Sequence, residues 1–99
     1  VQAAATRAPT SPPPPPAQVV PTGVQRIGGT GGTGLNFSQV NVAIIDSGID
    51  ASHPDLNVVG GYNTTSTKTA AWADETGHGT HVAGTVAAKD NTIGVVGVA

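Results

Sequence analysis

The run Val42-Ala43-Ile44-Ile45-Asp46-Ser47-Gly48 constrains this chain more than any other stretch. A near-continuous β-branched run suits a strand buried on both faces, as in a parallel sheet covered by helices. It ends in a carboxylate and a glycine, which puts Asp46 at the carboxyl end of the strand, where open α/β sheets gather their chemistry. Downstream, Gly77-His78-Gly79-Thr80-His81-Val82-Ala83-Gly84-Thr85-Val86 places two histidines at the mouth of a helix expected from His78 to about Ala88. Val82, Val86 and the interleaved alanines give that helix an apolar face. A short strand is expected around Val58 to Tyr62, a polar Thr-rich surface loop over 63–77, and a helix stop at Asp90-Asn91. An apolar strand or tight loop then begins at Ile93. Strand, strand, helix, strand describes an α/β domain of which only a part is present.

Bulky core material is scarce. The 99 residues contain one Trp, one Tyr and one Phe against 14 glycines, so Ala and Val carry most of the burial. A chain this short buries a modest fraction of its surface and is not expected to fold stably alone. The four basic residues (Arg7, Arg26, Lys68, Lys89) are scattered and the formal charge is −2. Nucleic-acid binding needs a basic stripe and an electrostatic membrane anchor needs a basic face, so neither is expected. No apolar run approaches the roughly 18 residues of a membrane span. The lack of cysteine excludes a disulfide scaffold and a thiol nucleophile and says nothing of compartment. The chain starts without Met and ends inside an apolar run, as a piece of a longer protein would.

Residues 1–16 culminate in Pro12 to Pro16 and read as a stiff polyproline II linker or the end of a processed leader; a docking ligand is the sharper alternative. Gly29, Gly31 and Gly34 form a nominal G-x-G-x-x-G. A dinucleotide site needs those glycines after a strand and opening a helix; here they precede the strand, and a loop is expected.

Asp46 and His78 are the right pair for acid–base work. A carboxylate beside an imidazole fixes its tautomer and stabilises the imidazolium formed when it takes a proton. By residue type alone the alternatives stay open: an Asp that caps, a His that merely hydrogen-bonds at the surface, or a metal site using His78 and His81. Zinc ligands on one helix face come more often at i, i+4, and no Glu accompanies this pair. His81 is expected to pack inside, and His53 before Pro54 to fix a turn.

Two blocks together, Asp46-Ser47-Gly48-Ile49-Asp50 with His53-Pro54-Asp55-Leu56 and then His78-Gly79-Thr80-His81-Val82-Ala83-Gly84, resemble the subtilisin-like serine proteases, the subtilases. The resemblance runs from about Ala17 to Ala99. It implies an α/β three-layer subtilisin-like fold with a mostly parallel sheet, residues 17–99 forming the N-terminal portion of its catalytic domain. It implies that Asp46 orients the imidazole and that His78 is general base and then general acid. The substrate would be a peptide bond in a protein or peptide, attacked by a serine through an acyl-enzyme. The family's Gly-Thr-Ser-Met-Ala-like nucleophile segment and its oxyanion Asn do not occur in these residues. Ser47 matches the position after the acid, and Ser11, Ser38, Ser52 and Ser66 have no supporting context. The 99 residues alone are therefore expected to be inactive.

The resemblance also implies a structural calcium ion (Ca²⁺), held by the side chains of Gln18, Asp55 and Asn91 and by the backbone carbonyls of Lys89, Ile93 and Val95. All are hard oxygen donors, as that ion requires. It further implies a cleaved N-terminal pro-domain, secretion to the extracellular space, and a monomer when full length. The sequons at Asn36 and Asn63 are compatible with secretion. Two rival readings are a catalytically dead homologue acting as a binding module and a metal-dependent hydrolase.

Overall fold

The computed structural model describes residues 12–14, 16–29 and 40–99. Most of the Pro-rich segment, the glycines at 31 and 34, the sequon at Asn36 and Ser11 and Ser38 lie outside the described residues. Two helices are present among the described residues: α1, Thr22–Arg26, and α2, His78–Ala87. Two isolated parallel bridges join distant segments, Val19 with Val95 and Ile49 with Ala73.

The short α1 was not expected from periodicity, because five residues carry none. Its boundary chemistry is nonetheless present. Pro21 stands at its start with φ −60°, and Gly28 ends it in the left-handed region at φ 77°. Its apolar residue Val24 is 1% exposed, against Gly29, where an added Cβ would meet Val24 Cγ1 at 3.1 Å and Val98 Cγ1 at 3.6 Å.

Helix α2 agrees with the expected span to within one residue. Its buried positions are Gly79 and Ala83, four residues apart and so one above the other on one face. The four C-terminal carbonyls of a helix lack intrahelical partners, and the segment after α2 turns back to supply donors. Val98 N–H donates to Thr85 O at 3.2 Å and Ala99 N–H to Val86 O at 2.8 Å, while Gly97 N–H reaches Ala88 O at 3.0 Å. Only glycine fits at 97, where a Cβ would fall 2.6 Å from the Ala87 nitrogen. The small core, Val24, Leu56, Ala83, Ala88 and Val96, is built mainly from Val and Ala as the composition requires.

The doubly buried strand expected over 41–46 is not found among the described residues. Residues 41–45 form no strand and no bridge, and Ile45 is 99% exposed. Residues 58–62 likewise form no strand, and Ile93 to Val98 is pinned by one bridge. The physical reason is pairing: a parallel strand is stable only with neighbours along its edges, and the described residues give this run none. No helix among them is long and apolar enough to cross a membrane.

Candidate active site

Asp46 stands at a turn held in place by Gly48. Gly48 has φ 125°, and an added Cβ there would lie 2.7 Å from the carbonyl oxygens of both Trp72 and Ala73. Next to it Ile49 N–H donates to Trp72 O at 3.1 Å. The first turn of α2 lies directly on this corner, because Gly79 has no side chain. A Cβ at 79 would run into the Gly48 carbonyl oxygen and come 3.2 Å from the Asp46 Cβ.

This close approach brings the two sequence-predicted residues together. His78 Nδ1 lies 2.7 Å from Asp46 Oδ1, and the same oxygen accepts the Ser47 N–H at 2.7 Å. A carboxylate only accepts, so in the neutral imidazole the proton sits on Nδ1 and Nε2 keeps its lone pair. The Asp46 side chain is 18% exposed and the His78 ring 71% exposed, so the ring faces incoming molecules while its partner is largely covered. The hydrogen bond from His78 holds the Asp46 carboxyl below the ordinary carboxylate range, with the Ser47 N–H adding to it. In return the bond to Asp46, and then its charge, raise the His78 pKa above the ordinary 6.5.

Asp74 is the residue that sequence reasoning missed, since it lay in a stretch read as plain surface loop. One carboxylate oxygen, Oδ1, accepts from Ser47 Oγ at 2.8 Å, Gly77 N–H at 2.8 Å and Thr76 N–H at 3.1 Å. The other, Oδ2, accepts from Thr80 N–H at 2.8 Å and Thr80 Oγ1 at 2.5 Å. The Thr80 hydroxyl and backbone N–H, followed by weaker donors that include Ser47 and Gly77, push its pKa far below the usual carboxylate range. An Asp three residues ahead of a glycine that opens a helix was the available signal, because unpaired N–H groups at a helix start attract such an acceptor. Ser47 Oγ in turn accepts Gly79 N–H at 3.0 Å. That geometry commits Ser47 to the scaffold.

His81 does not pack inside. It is exposed, because it lies two residues, about 200° around the helix, from both Gly79 and Ala83. No cluster of three or more His, Cys, Asp or Glu side chains arranged to hold a metal occurs among the described residues. His53 fixes a turn as expected: its N–H donates to Asp50 O at 3.2 Å and its Nδ1 accepts Asp55 N–H at 3.2 Å.

The residues expected around a calcium ion converge. Asp55 is 2% exposed, and its two oxygens accept Asn91 Nδ2 at 2.7 Å and Val95 N–H at 3.1 Å. Gln18 Oε1 accepts Asn91 N–H at 2.5 Å, and Gln18 Nε2 donates to Asp90 Oδ1 at 2.9 Å. The Val19–Val95 bridge holds the N-terminal segment against this loop. Gly94, at φ 60°, leaves space beside Asp55 that a Cβ would fill at 2.5 Å from Oδ2. Lys89, Ile93 and Val95 meet the cluster through their N–H groups, and none of the hydrogen bonds among the described residues ends on their carbonyl oxygens. A buried carboxylate, two amide side chains and uncommitted backbone carbonyls are oxygen-bearing groups of the kind a hard cation takes, while Asn91 here turns its Nδ2 toward Asp55 and its Oδ1 accepts the Ile93 N–H at 2.8 Å.

The model of the subtilase family matches residues 38–99. Over 85 residues the chain is 53% identical to subtilisin of Bacillus pumilus, covering 84% of this chain and 31% of that protein. It is likewise 53% identical to subtilisin E of Bacillus subtilis strain 168, covering 84% of this chain and 22% of that protein. With subtilisin Savinase of Lederbergia lenta the identity is 48% over 85 residues, covering 84% and 31%. The chain belongs to the subtilase family and fits the N-terminal part of its catalytic domain. It spans less than a third of the length of these curated relatives.

Proposed function

We propose that this chain is the acid–base part of a serine endopeptidase, hydrolysing peptide bonds through an Asp-His-Ser group of which it contributes Asp46 and His78. The observation that carries this reading is the 2.7 Å contact between His78 Nδ1 and Asp46 Oδ1, made by residues inside the region matched to the family. Asp46 holds the imidazole in the tautomer whose Nε2 can take a proton from an attacking hydroxyl. His78 then returns that proton to the leaving amine, while Asp46 stabilises the intervening imidazolium. The serine is proposed to lie in a segment outside these 99 residues, and the 99 residues alone to be inactive. Residues 17–99 are read as the N-terminal part of a three-layer catalytic domain with a mostly parallel sheet, and 1–16 as a linker or the end of a pro-segment. The exposed Val42 and Ile45 are consistent with that architecture, since further strands would cover them.

Gln18, Asp55 and Asn91, with the carbonyls of Lys89, Ile93 and Val95, would hold calcium. The ion would supply structural cross-linking between the N-terminal segment and the loop after α2. Protein or peptide substrates, a cleaved pro-domain, secretion and a monomeric full-length enzyme complete the reading.

The test uses the full-length parent. Hydrolysis of a peptide amide, blocked by a serine-directed phosphonylating inhibitor and abolished in His78→Ala, is the expected result. A parent that neither cleaves peptides nor reacts with the inhibitor would be the dead homologue acting as a binding module, and the endopeptidase reading would fall.

A further inference from the structure

Asp74 touches three pieces of chain that must stay in register for Asp46 and His78 to meet. Its Oδ1 accepts from Ser47, the residue after Asp46, at 2.8 Å. The same oxygen and its partner Oδ2 accept backbone N–H groups of Gly77 and Thr80, on either side of His78, both at 2.8 Å. The links continue outward. Ser47 Oγ accepts Gly79 N–H at 3.0 Å, and Thr80 Oγ1 accepts Asp50 N–H at 3.0 Å, tying the far side of the Asp46 turn to the same helix start. We propose that Asp74 is a positioning residue, a carboxylate clamp that locks the turn bearing Asp46 to the first turn of the helix bearing His78.

Chemistry favours a carboxylate here over any other side chain. Every partner is a donor, and an ionised carboxylate offers about four acceptor sites and no hydrogen of its own. An Asn amide would turn one NH₂ toward at least one of those donors, so the isosteric change breaks half of the clamp. The clamp also acts electrostatically. Asp46, by its hydrogen bond and then its charge, is the larger influence raising the His78 pKa, and the charge of Asp74 adds to it. Among the described residues these two carboxylates, one from the turn after residue 45 and one from the loop ahead of α2, are the charged groups acting on His78.

The proposal rests on the serine endopeptidase reading for its kinetic readout, but its second readout is independent of that reading. In the full-length parent we would compare wild type, Asp74→Asn and Ser47→Ala by peptide hydrolysis and by NMR titration of the His78 ring. For Asp74→Asn the expected outcome is a kcat lowered by about 10-fold or more with KM within two-fold, because the misplacement affects proton transfer more than substrate binding. The His78 titration midpoint should move down, and its Nδ1–H resonance should lose intensity. Ser47→Ala, which keeps the charge but cuts the links to Asp74 and to Gly79 N–H, should lower kcat by a smaller factor; it tests the clamp if Asp74→Asn does not fold. A merely structural Asp74 would lower the melting temperature and leave kcat and the His78 Nδ1–H resonance unchanged well below it, and that result overturns the proposal; the lost charge moves the titration midpoint in either case. A wild type without peptidase activity whose His78 Nδ1–H resonance still loses intensity in Asp74→Asn would overturn the endopeptidase reading and leave the clamp standing.

Discussion

Replacing Gly79 by alanine isolates the geometry that joins the two catalytic candidates. By helix propensity alone the change is favourable, by about 1 kcal/mol for a glycine inside a helix. The local fit opposes it. An added Cβ falls within 2.5 Å of the Gly48 carbonyl oxygen, and ordinary contact begins at 3.4 Å, so the two segments must part by at least about 0.9 Å. The obstacle is backbone rather than a flexible side chain, and Gly48 is itself pinned between two carbonyls. The movement therefore falls between the turn carrying Asp46 and the helix carrying His78. Added to the present 2.7 Å, it takes the Nδ1–Oδ1 separation to about 3.6 Å, which is no longer a hydrogen bond. A misplacement of about 1 Å at a reacting group can cost on the order of 100-fold in rate. Full-length Gly79→Ala should therefore lose about 100-fold in kcat, with KM little changed, and His78 should titrate closer to the ordinary imidazole value. The assay is steady-state hydrolysis of a chromogenic peptide, paired with NMR titration of the ring. A variant with kcat within two-fold of wild type and an unmoved His78 midpoint would show that the Gly48–Gly79 approach does not set the pair.

Other consequences are equally open to measurement. Because a neutral His78 is needed as base and its pKa is raised, kcat/KM should climb with pH through a midpoint above 6.5, and Asp46→Asn should shift that midpoint down while costing about 10³–10⁴ in kcat. For stability, the raised His78 contributes fully below pH 6.5 and its share fades as pH rises through the raised value. The depressed Asp46 contributes above about 3.8 and its share fades as pH falls through the lowered value. Melting temperatures of wild type and His78→Ala should thus differ most between those limits, and a difference growing toward high pH would contradict the pairing. Asp55→Ala leaves the Asn91 amide and the Val95 N–H without their acceptor, at about 1–3 kcal/mol each, so urea denaturation should show a loss of roughly 2–6 kcal/mol. Chelator should lower the melting temperature of wild type but not of Asp55→Ala, and equal curves for wild type with and without chelator would remove the calcium reading. Gly61→Ala drives a methyl into the Trp72 indole and should destabilise by about 1–3 kcal/mol, measured in the same titration.

The sequence by itself determined the chemistry-bearing residues and their local settings. Asp46 after a β-branched run and His78 at the start of an Ala/Val helix were legible because each depends on neighbours a few positions away, whereas the Asp55 and Asn91 segments were singled out only through the family resemblance. Helix α2 was equally legible, since 3.6-residue periodicity is a local property. Tertiary structure decided the rest. The local sequence of Asp74 signalled a helix-start acceptor for Gly77 and Thr80, but its tie to the Asp46 turn could not be read there, because Ser47 lies 27 residues away and is brought to it by the fold. The orientation of His81 depended on which face of α2 meets the Gly48 corner, and apolar neighbours in sequence did not reveal that. The strand expected over 41–46 has the composition for a covered sheet position but no partners among the described residues, since pairing is a relation between segments and no single segment contains it. The pair itself is the clearest case. Two residues 32 positions apart become one hydrogen-bonded unit only because two glycines, 48 and 79, let the backbone of one approach the other more closely than any side chain would permit.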